Sequence, residues 1–157
     1  MIRWYLFGTL AVAALLLAYR TQIDAGGKKS DSKVKATAVA SKISADGKQT
    51  ITITLTIDKG WYLYANPLNT NNEFIEGSQT VVKVSGKGKL TGISIAYPPG
   101  KKHVDGKDHY DIYEGTVRIP VVLNRAGNES PVQIRVNVNA CSGKECLLQG
   151  TIELTTK

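Results

Sequence analysis

The chain has 157 residues, a formal net charge of +7 and two cysteines. Hydrophobic residues make up 42% of it, and they are patterned, which excludes a disordered chain. One long apolar run excludes a polytopic membrane protein, and the length suits a single domain with its own core.

Residues 1–20 read as a targeting segment. Arg3 is a short basic start, Trp4 to Tyr19 is uncharged, and Arg20 closes the run. About 16 residues make a helix of roughly 24 Å, short of the roughly 30 Å hydrocarbon core of a bilayer. The segment is therefore a secretory signal peptide or a short anchor attaching the protein to the inner membrane through residues 4–19. Either way the rest of the chain is extracytoplasmic, where disulfides persist. Residues 21–33 (TQIDAGGKKSDSK) are polar, without apolar periodicity, and read as a linker. The folded domain is expected over residues 34–157.

From Val34 the pattern alternates. In Thr50–Asp58, Ile51, Ile53, Leu55 and Ile57 face one way and the threonines the other, which predicts a half-buried strand. Val132, Ile134, Val136, Val138 and Ala140 repeat the pattern. Further strands are predicted at Val34–Ile43, Trp61–Tyr64, Thr80–Ser85, Leu90–Tyr97, Thr116–Asn124 and Thr151–Thr155, with turn signals between them. Pro120 marks its strand as an edge or a bulge. The predicted fold class is all-β, an immunoglobulin-like antiparallel β-sandwich. Ile53, Leu55, Ile134, Val136 and Val138 are expected in the core.

The positive charge is spread over turns and lacks the clustered, aromatic-interleaved pattern of a nucleic-acid surface, so no nucleic-acid partner is expected. His103 and His109 flank an acidic loop, but no ligand spacing is diagnostic; neither a metal nor any other cofactor is expected. Trp61, Tyr62 and Tyr64 read as core and rim aromatics.

Cys141 and Cys146 carry the chemistry. They enclose Ser-Gly-Lys-Glu directly after a strand, and in an exported chain they are most simply a disulfide. Their Cα atoms are then expected roughly 4.4–6.8 Å apart. So short a loop yields only about 2 kcal/mol of chain-entropy stabilisation. If the strand continues one step past Ala140, Cys141 points outward, open to a partner thiolate. Lys144 in the turn favours a thiolate and Glu145 opposes it. A structural staple and a redox pair both remain open on these grounds.

Three segments carry a family resemblance. They are Asp58-Lys59-Gly60-Trp61-Tyr62-Leu63-Tyr64, then Ile112-Tyr113-Glu114-Gly115 with Val117-Arg118-Ile119-Pro120-Val121, and Val136 to Cys146 with the cysteine pair at a strand end. In order and spacing the region from about Val34 to Thr156 resembles the N-terminal periplasmic domain of the thiol–disulfide interchange protein DsbD. The resemblance implies a periplasmic electron carrier that exchanges electrons with thioredoxin-like proteins, with Cys141 and Cys146 as the catalytic pair. Tyr62 and Tyr64 would lie beside the pair. The His103–His109 loop, with Val104 and Asp105, would cap it. Leu147-Leu148-Gln149 stands where the family often has Pro-Pro, and Val104 and Asp105 stand where its cap carries an aromatic residue. The family's polytopic electron donor has no counterpart in this chain, so a separate membrane donor is implied. The alternative is a non-catalytic binding or scaffolding module with a structural hairpin disulfide.

Overall fold

The computed structural model describes residues 28–88, 90–125 and 130–156. The signal or anchor segment, and attachment through residues 4–19, lie outside the described residues. Among the described residues no helix is long and apolar enough to cross a membrane.

Eleven strands form among the described residues, preceded by a 3-10 turn at Ser30–Lys33 and interrupted by another at Glu73–Ile75. They are β1 (Val34–Ala40), β2 (Lys48–Ile57), β3 (Tyr62–Tyr64), β4 (Val81–Gly86), β5 (Thr91–Ile95), β6 (Lys101–Asp105), β7 (Asp108–Tyr113), β8 (Thr116–Asn124), β9 (Val132–Val138), β10 (Ala140–Cys141) and β11 (Gly150–Thr156). All strand pairs are antiparallel, in three sheets ordered β1-β2-β8-β5, β10-β3-β7-β6 and β11-β9-β4.

The period-2 pattern decides the core. Ile51, Ile53 and Leu55 of β2 and Ile119, Val121 and Leu123 of β8 are sealed in one cluster with Val132, Ile134, Val136 and Val138 of β9. The first and third sheets thus share one apolar interior, as expected of an all-β sandwich of immunoglobulin-like type. The second sheet adds Leu63, Tyr113 and Ala140 from one face to that core. Its other face builds a separate small cluster of Tyr64, Leu68, Tyr110, Ile112 and Cys141.

Three expectations need correction. The strand carrying Pro120 is not an edge, because β8 lies between β2 and β5. Pro120 sits where β5 runs out: its carbonyl accepts from Ala96 N–H at 2.9 Å, and the return bond, which proline cannot donate, would be the next one. The irregularity lies in β5, between Thr91 and Ser94. The segment read as linker does not stay outside the fold to Lys33. Ser30 is fully buried, and its hydroxyl donates to Leu148 O and accepts from Ala140 N–H, each at 2.8 Å. The stretch from His103 to His109 is a hairpin rather than a loop. β6 and β7 close on Gly106-Lys107, with positive φ at Gly106 and not at Lys107, the pattern of a two-residue II′ turn.

Candidate functional site

The site grows from strand parity. β3 is three residues long; Leu63 points into the main core, so Tyr62 and Tyr64 point to the opposite face of the sheet. The register places Cys141 opposite Tyr62, Ile112 opposite Tyr64, and His103 opposite Tyr110. Directly opposed residues share a face. Cys141, Tyr62, Tyr64, Tyr110 and His103 therefore converge on one surface.

The cysteines form a disulfide with Cα atoms 4.0 Å apart, closer than the expected window. The closeness follows from the hairpin. Leu147 N–H donates to Ala140 O at 2.9 Å and Ser142 N–H to Glu145 O at 2.8 Å. Cys141 and Cys146 are thus a non-hydrogen-bonded antiparallel pair, the narrow kind. Ser142 to Glu145 form the turn, and the Ser142 hydroxyl donates to Glu145 O at 3.2 Å.

The expected outward Cys141 is corrected by the structure. β9 ends at Val138, and the chain crosses at Asn139 from the third sheet to the second. Cys141 leaves the main core, as its parity requires, but turns into the second cluster, where only 1% of its surface is exposed. Its Sγ lies 3.6 Å from the Tyr64 hydroxyl. A disulfide sulfur has no hydrogen, so Tyr64 donates. Cys146 is exposed and lines a cleft of about 640 Å³ together with Tyr62, Tyr64, His103, Asp105, Tyr110 and Lys144.

The tyrosines make a connected group. Tyr62 and Tyr110 hydroxyls lie 3.1 Å apart. The His103 ring sits 5.3 Å from Tyr62 and 5.1 Å from Tyr110. Burial, the bonded Tyr110 hydroxyl and nearby Asp105 push the Tyr62 phenol well above its usual range. Burial, then Tyr110 and Asp105, push Tyr64 up as well. Both stay protonated donors across the physiological range.

Of the expected supporting residues, Tyr62, Tyr64, His103, Asp105 and Lys144 are brought to the cleft. Val104 is not. It pairs with His109 on the hairpin's other face and is 63% exposed, so the hairpin ring that lies against the tyrosines is His103. The same parity separates His103 from His109. Among the described residues no group of three or more His, Cys, Asp or Glu side chains is placed to hold a metal ion.

Tyr110, Ile112, Asp108, Asn72 and Ile75 also border this region and were missed. The signal for the first three was the alternation Asp108, Tyr110, Ile112, hidden because polar residues fill the positions between. Asn72 and Ile75 arrive on the loop from Asn66 to Thr80, which nothing in the local sequence marks.

The loop is tied to the hairpin by amide side chains. Asn71 Oδ1 accepts from His109 N–H at 2.7 Å, and Asn72 Nδ2 donates to Asp108 Oδ2 at 2.8 Å. Beside the cleft this loop holds Phe74, which is 90% exposed.

Comparison with protein families matches residues 30–156 to the family model described as thiol:disulfide interchange protein DsbD, N-terminal. The chain belongs to the DsbD N-terminal family. The match begins at Ser30, where the buried turn begins. Comparison with curated proteins gives no match. Among solved structures, the N-terminal periplasmic domain of ScsB from Proteus mirabilis is similar at a TM-score of 0.60 and 16% identity, over 82% of this chain and 48% of that one. The chain thus spans about half of the ScsB domain, and the likeness is one of fold. The DsbD N-terminal domain of Neisseria meningitidis in its reduced form matches at a TM-score of 0.47 and 13% identity, over 81% of this chain and 86% of that one. The complex of the Neisseria meningitidis DsbD and PilB N-terminal domains matches at 0.49 and 14%, over 82% and 85%.

This member of the family is therefore an all-β unit with a single closed disulfide in a hydrogen-bonded hairpin. That arrangement fits the hairpin-disulfide alternative more directly than a catalytic pair.

Proposed function

We propose that this is an extracytoplasmic docking domain whose hairpin disulfide fixes one wall of an aromatic cleft against which a partner protein binds. The observation that carries the reading is the convergence of Cys146, Tyr62, Tyr110 and His103 on one open cleft. The disulfide adds little to global stability, about 2 kcal/mol for so short a loop. Its work is local, holding the Ser142–Glu145 turn in one shape. Membership of the family supports a periplasmic location and a thioredoxin-like partner. The direct test replaces Glu145, at the cleft, with a photo-crosslinking residue in the exported full chain, with Val39 on β1 as control. Val39 is 68% exposed and belongs to another sheet. Adducts with exported proteins are expected from position 145 and not from 39. Equal labelling at both would defeat the docking reading.

One specific asymmetry favours a second reading, thiol–disulfide exchange through the same pair. Cys146 is exposed and Cys141 sealed, so an incoming thiolate reaches only the Cys146 sulfur. The bond formed would be a mixed disulfide at Cys146, and the bond broken would release Cys141 as a thiolate beside the Tyr64 hydroxyl. A protonated Tyr64 is placed to stabilise that charge. A separate membrane protein would supply the electrons and a thioredoxin-like protein would receive them. The reduction potential decides between the readings. A value below about −300 mV marks a bond the thiol pool does not reduce, and a higher one marks an exchanging pair.

A further inference from the structure

The cleft carries a charge opposite to that of the whole molecule. The chain bears a formal +7. Yet the charged residues lining the cleft are Asp105, Asp108, Glu114 and Glu145 against Lys144, with His103 above the tyrosines. Glu114 is partly answered by Lys101, whose Nζ lies 3.0 Å from its carboxylate. The rest of the imbalance stands. Lys102 lies on the hairpin's far face, paired in register with Asp111, and Lys107 stands in the turn beside the neighbouring groove of Phe74. At roughly 0.1 M salt, charges more than about 10 Å apart are largely screened, so a group entering the cleft feels the residues that line it most strongly.

The acidic residues come from three separate elements. Asp105 ends β6, Asp108 begins β7 and Glu145 closes the cysteine turn. They line the cleft into which the one exposed sulfur of the site also opens, and complementary charge at such a surface selects partners and speeds their encounter. We propose that the cleft selects a partner whose contact surface beside Cys146 is basic, a folded exported protein with Lys or Arg side chains flanking the segment that enters. The inference rests on the docking reading and adds the sign of the partner's charge. An acidic contact surface would meet Asp105, Asp108 and Glu145 directly and be rejected.

The exposed sulfur makes the field measurable without a partner. A small thiolate attacks Cys146 Sγ, forming a mixed disulfide and releasing the Cys141 thiolate, whatever the pair does in the cell. The probes are 2-aminoethanethiol, whose thiolate carries a cationic substituent, and 2-mercaptoethanesulfonate, whose thiolate carries an anionic one. Rates per thiolate on the oxidised full chain are each divided by the rate with neutral 2-mercaptoethanol on the same protein. The reference is the oxidised peptide of residues 140–147, which keeps Lys144 and Glu145 but lacks Asp105 and Asp108. The expected cation-to-anion ratio at low salt is about fivefold higher on the protein than on the peptide, falling to the peptide's value near 1 M salt. Asp105→Asn should lower the ratio about twofold. A ratio equal to the peptide's, a ratio unmoved by Asp105→Asn, or a disulfide inert to the neutral thiol would overturn the inference. The photo-crosslinking test leaves Asp105 and Asp108 in place and reads adducts rather than thiol rates, so failure of the charge inference and failure of docking are separately visible.

Discussion

Asp46 occupies the turn between β1 and β2, where its carboxylate accepts from the Ser44 hydroxyl at 2.5 Å and pairs with Lys48 at 2.9 Å. The Ser44 hydroxyl first, and Lys48 second, hold its pKa at about 2, below the ordinary 3.8. The unfolded chain therefore takes up the proton before the folded one does. The contribution is full above about pH 4 and is lost as pH falls through 2. Asp46→Asn should accordingly lower the melting temperature at pH 6 and make no difference near pH 2, seen by thermal melts across that range. A gap that widens towards acid would show the sign to be wrong. Val136 is a different kind of residue, fully buried between β4 and β11 with no polar role. Val136→Ala should cost roughly 2–3 kcal/mol in urea unfolding, because the rigid sheets around it cannot close the gap. Phe74 is the opposite case. Its ring is exposed, while its N–H is held by Asn72 Oδ1 at 2.9 Å. Phe74→Ser should shift stability by no more than about 0.5 kcal/mol. It should also reduce photo-adducts at position 145, since a pre-ordered exposed aromatic is what docking surfaces use as an anchor.

At the scale of elements the cysteine hairpin is small enough to be removed without the sandwich noticing. Of the hairpin only Ala140 reaches the main core, whose bulk comes from β2, β8 and β9. Reduction of Cys141–Cys146 should leave the far-ultraviolet circular dichroism of the full chain unchanged and lower its unfolding free energy by about 2 kcal/mol. Loss of the β spectrum on reduction would show that the bond holds more than its own turn. The same scale shows what could be read from the sequence. The alternations at Ile51–Ile57 and Val132–Val138 gave strands and core directly, because each has one dry face and one wet one. β6 and β7 escaped because Lys101–Asp105 and Asp108–Tyr113 carry polar residues on both faces. Only the two-residue Gly106-Lys107 turn betrays the hairpin. The face of Cys141 was hidden for another reason. Parity predicts correctly that it leaves the main core, but not that a second apolar cluster waits on the other side. That cluster is assembled by residues distant in sequence, Tyr64, Leu68, Tyr110 and Ile112.

For the whole molecule, the N-terminal turn decides how the site is held. Residues 21–33 carry no apolar pattern, and nothing local distinguishes Ser30 from its neighbours. The structure makes it a clasp. Ser30 N–H and hydroxyl both donate to Leu148 O at 2.8 Å, and the same hydroxyl receives Ala140 N–H. Ala140 and Leu148 flank the cysteine hairpin on its two sides. Gly150 shows how close the clasp lies, since a Cβ added there would stand 2.3 Å from Asp31 N. The turn therefore ties the base of the hairpin, at β10, to the start of β11. A chain that begins at Val34 keeps every strand but leaves Ala140 N–H and Leu148 O without these partners. Leu148 is exposed and its carbonyl can turn to water, but Ala140 is buried and an unsatisfied buried group costs about 1–3 kcal/mol, so the shortened chain should lose roughly that amount against one that begins at Lys28. The loss should be uneven. Amide hydrogen exchange should accelerate most at residues 140–148, and the neutral thiol should reduce Cys141–Cys146 faster, because the strand segment that seals Cys141 is no longer held from behind. The β2 and β8 amides, on the far sheet, should keep their protection relative to global unfolding. If exchange instead rises evenly over all strands, the turn is only a general stabiliser and the hairpin is fixed by its own disulfide. If neither stability nor exchange changes, Ser30 is replaceable by water and the domain begins at Val34 after all.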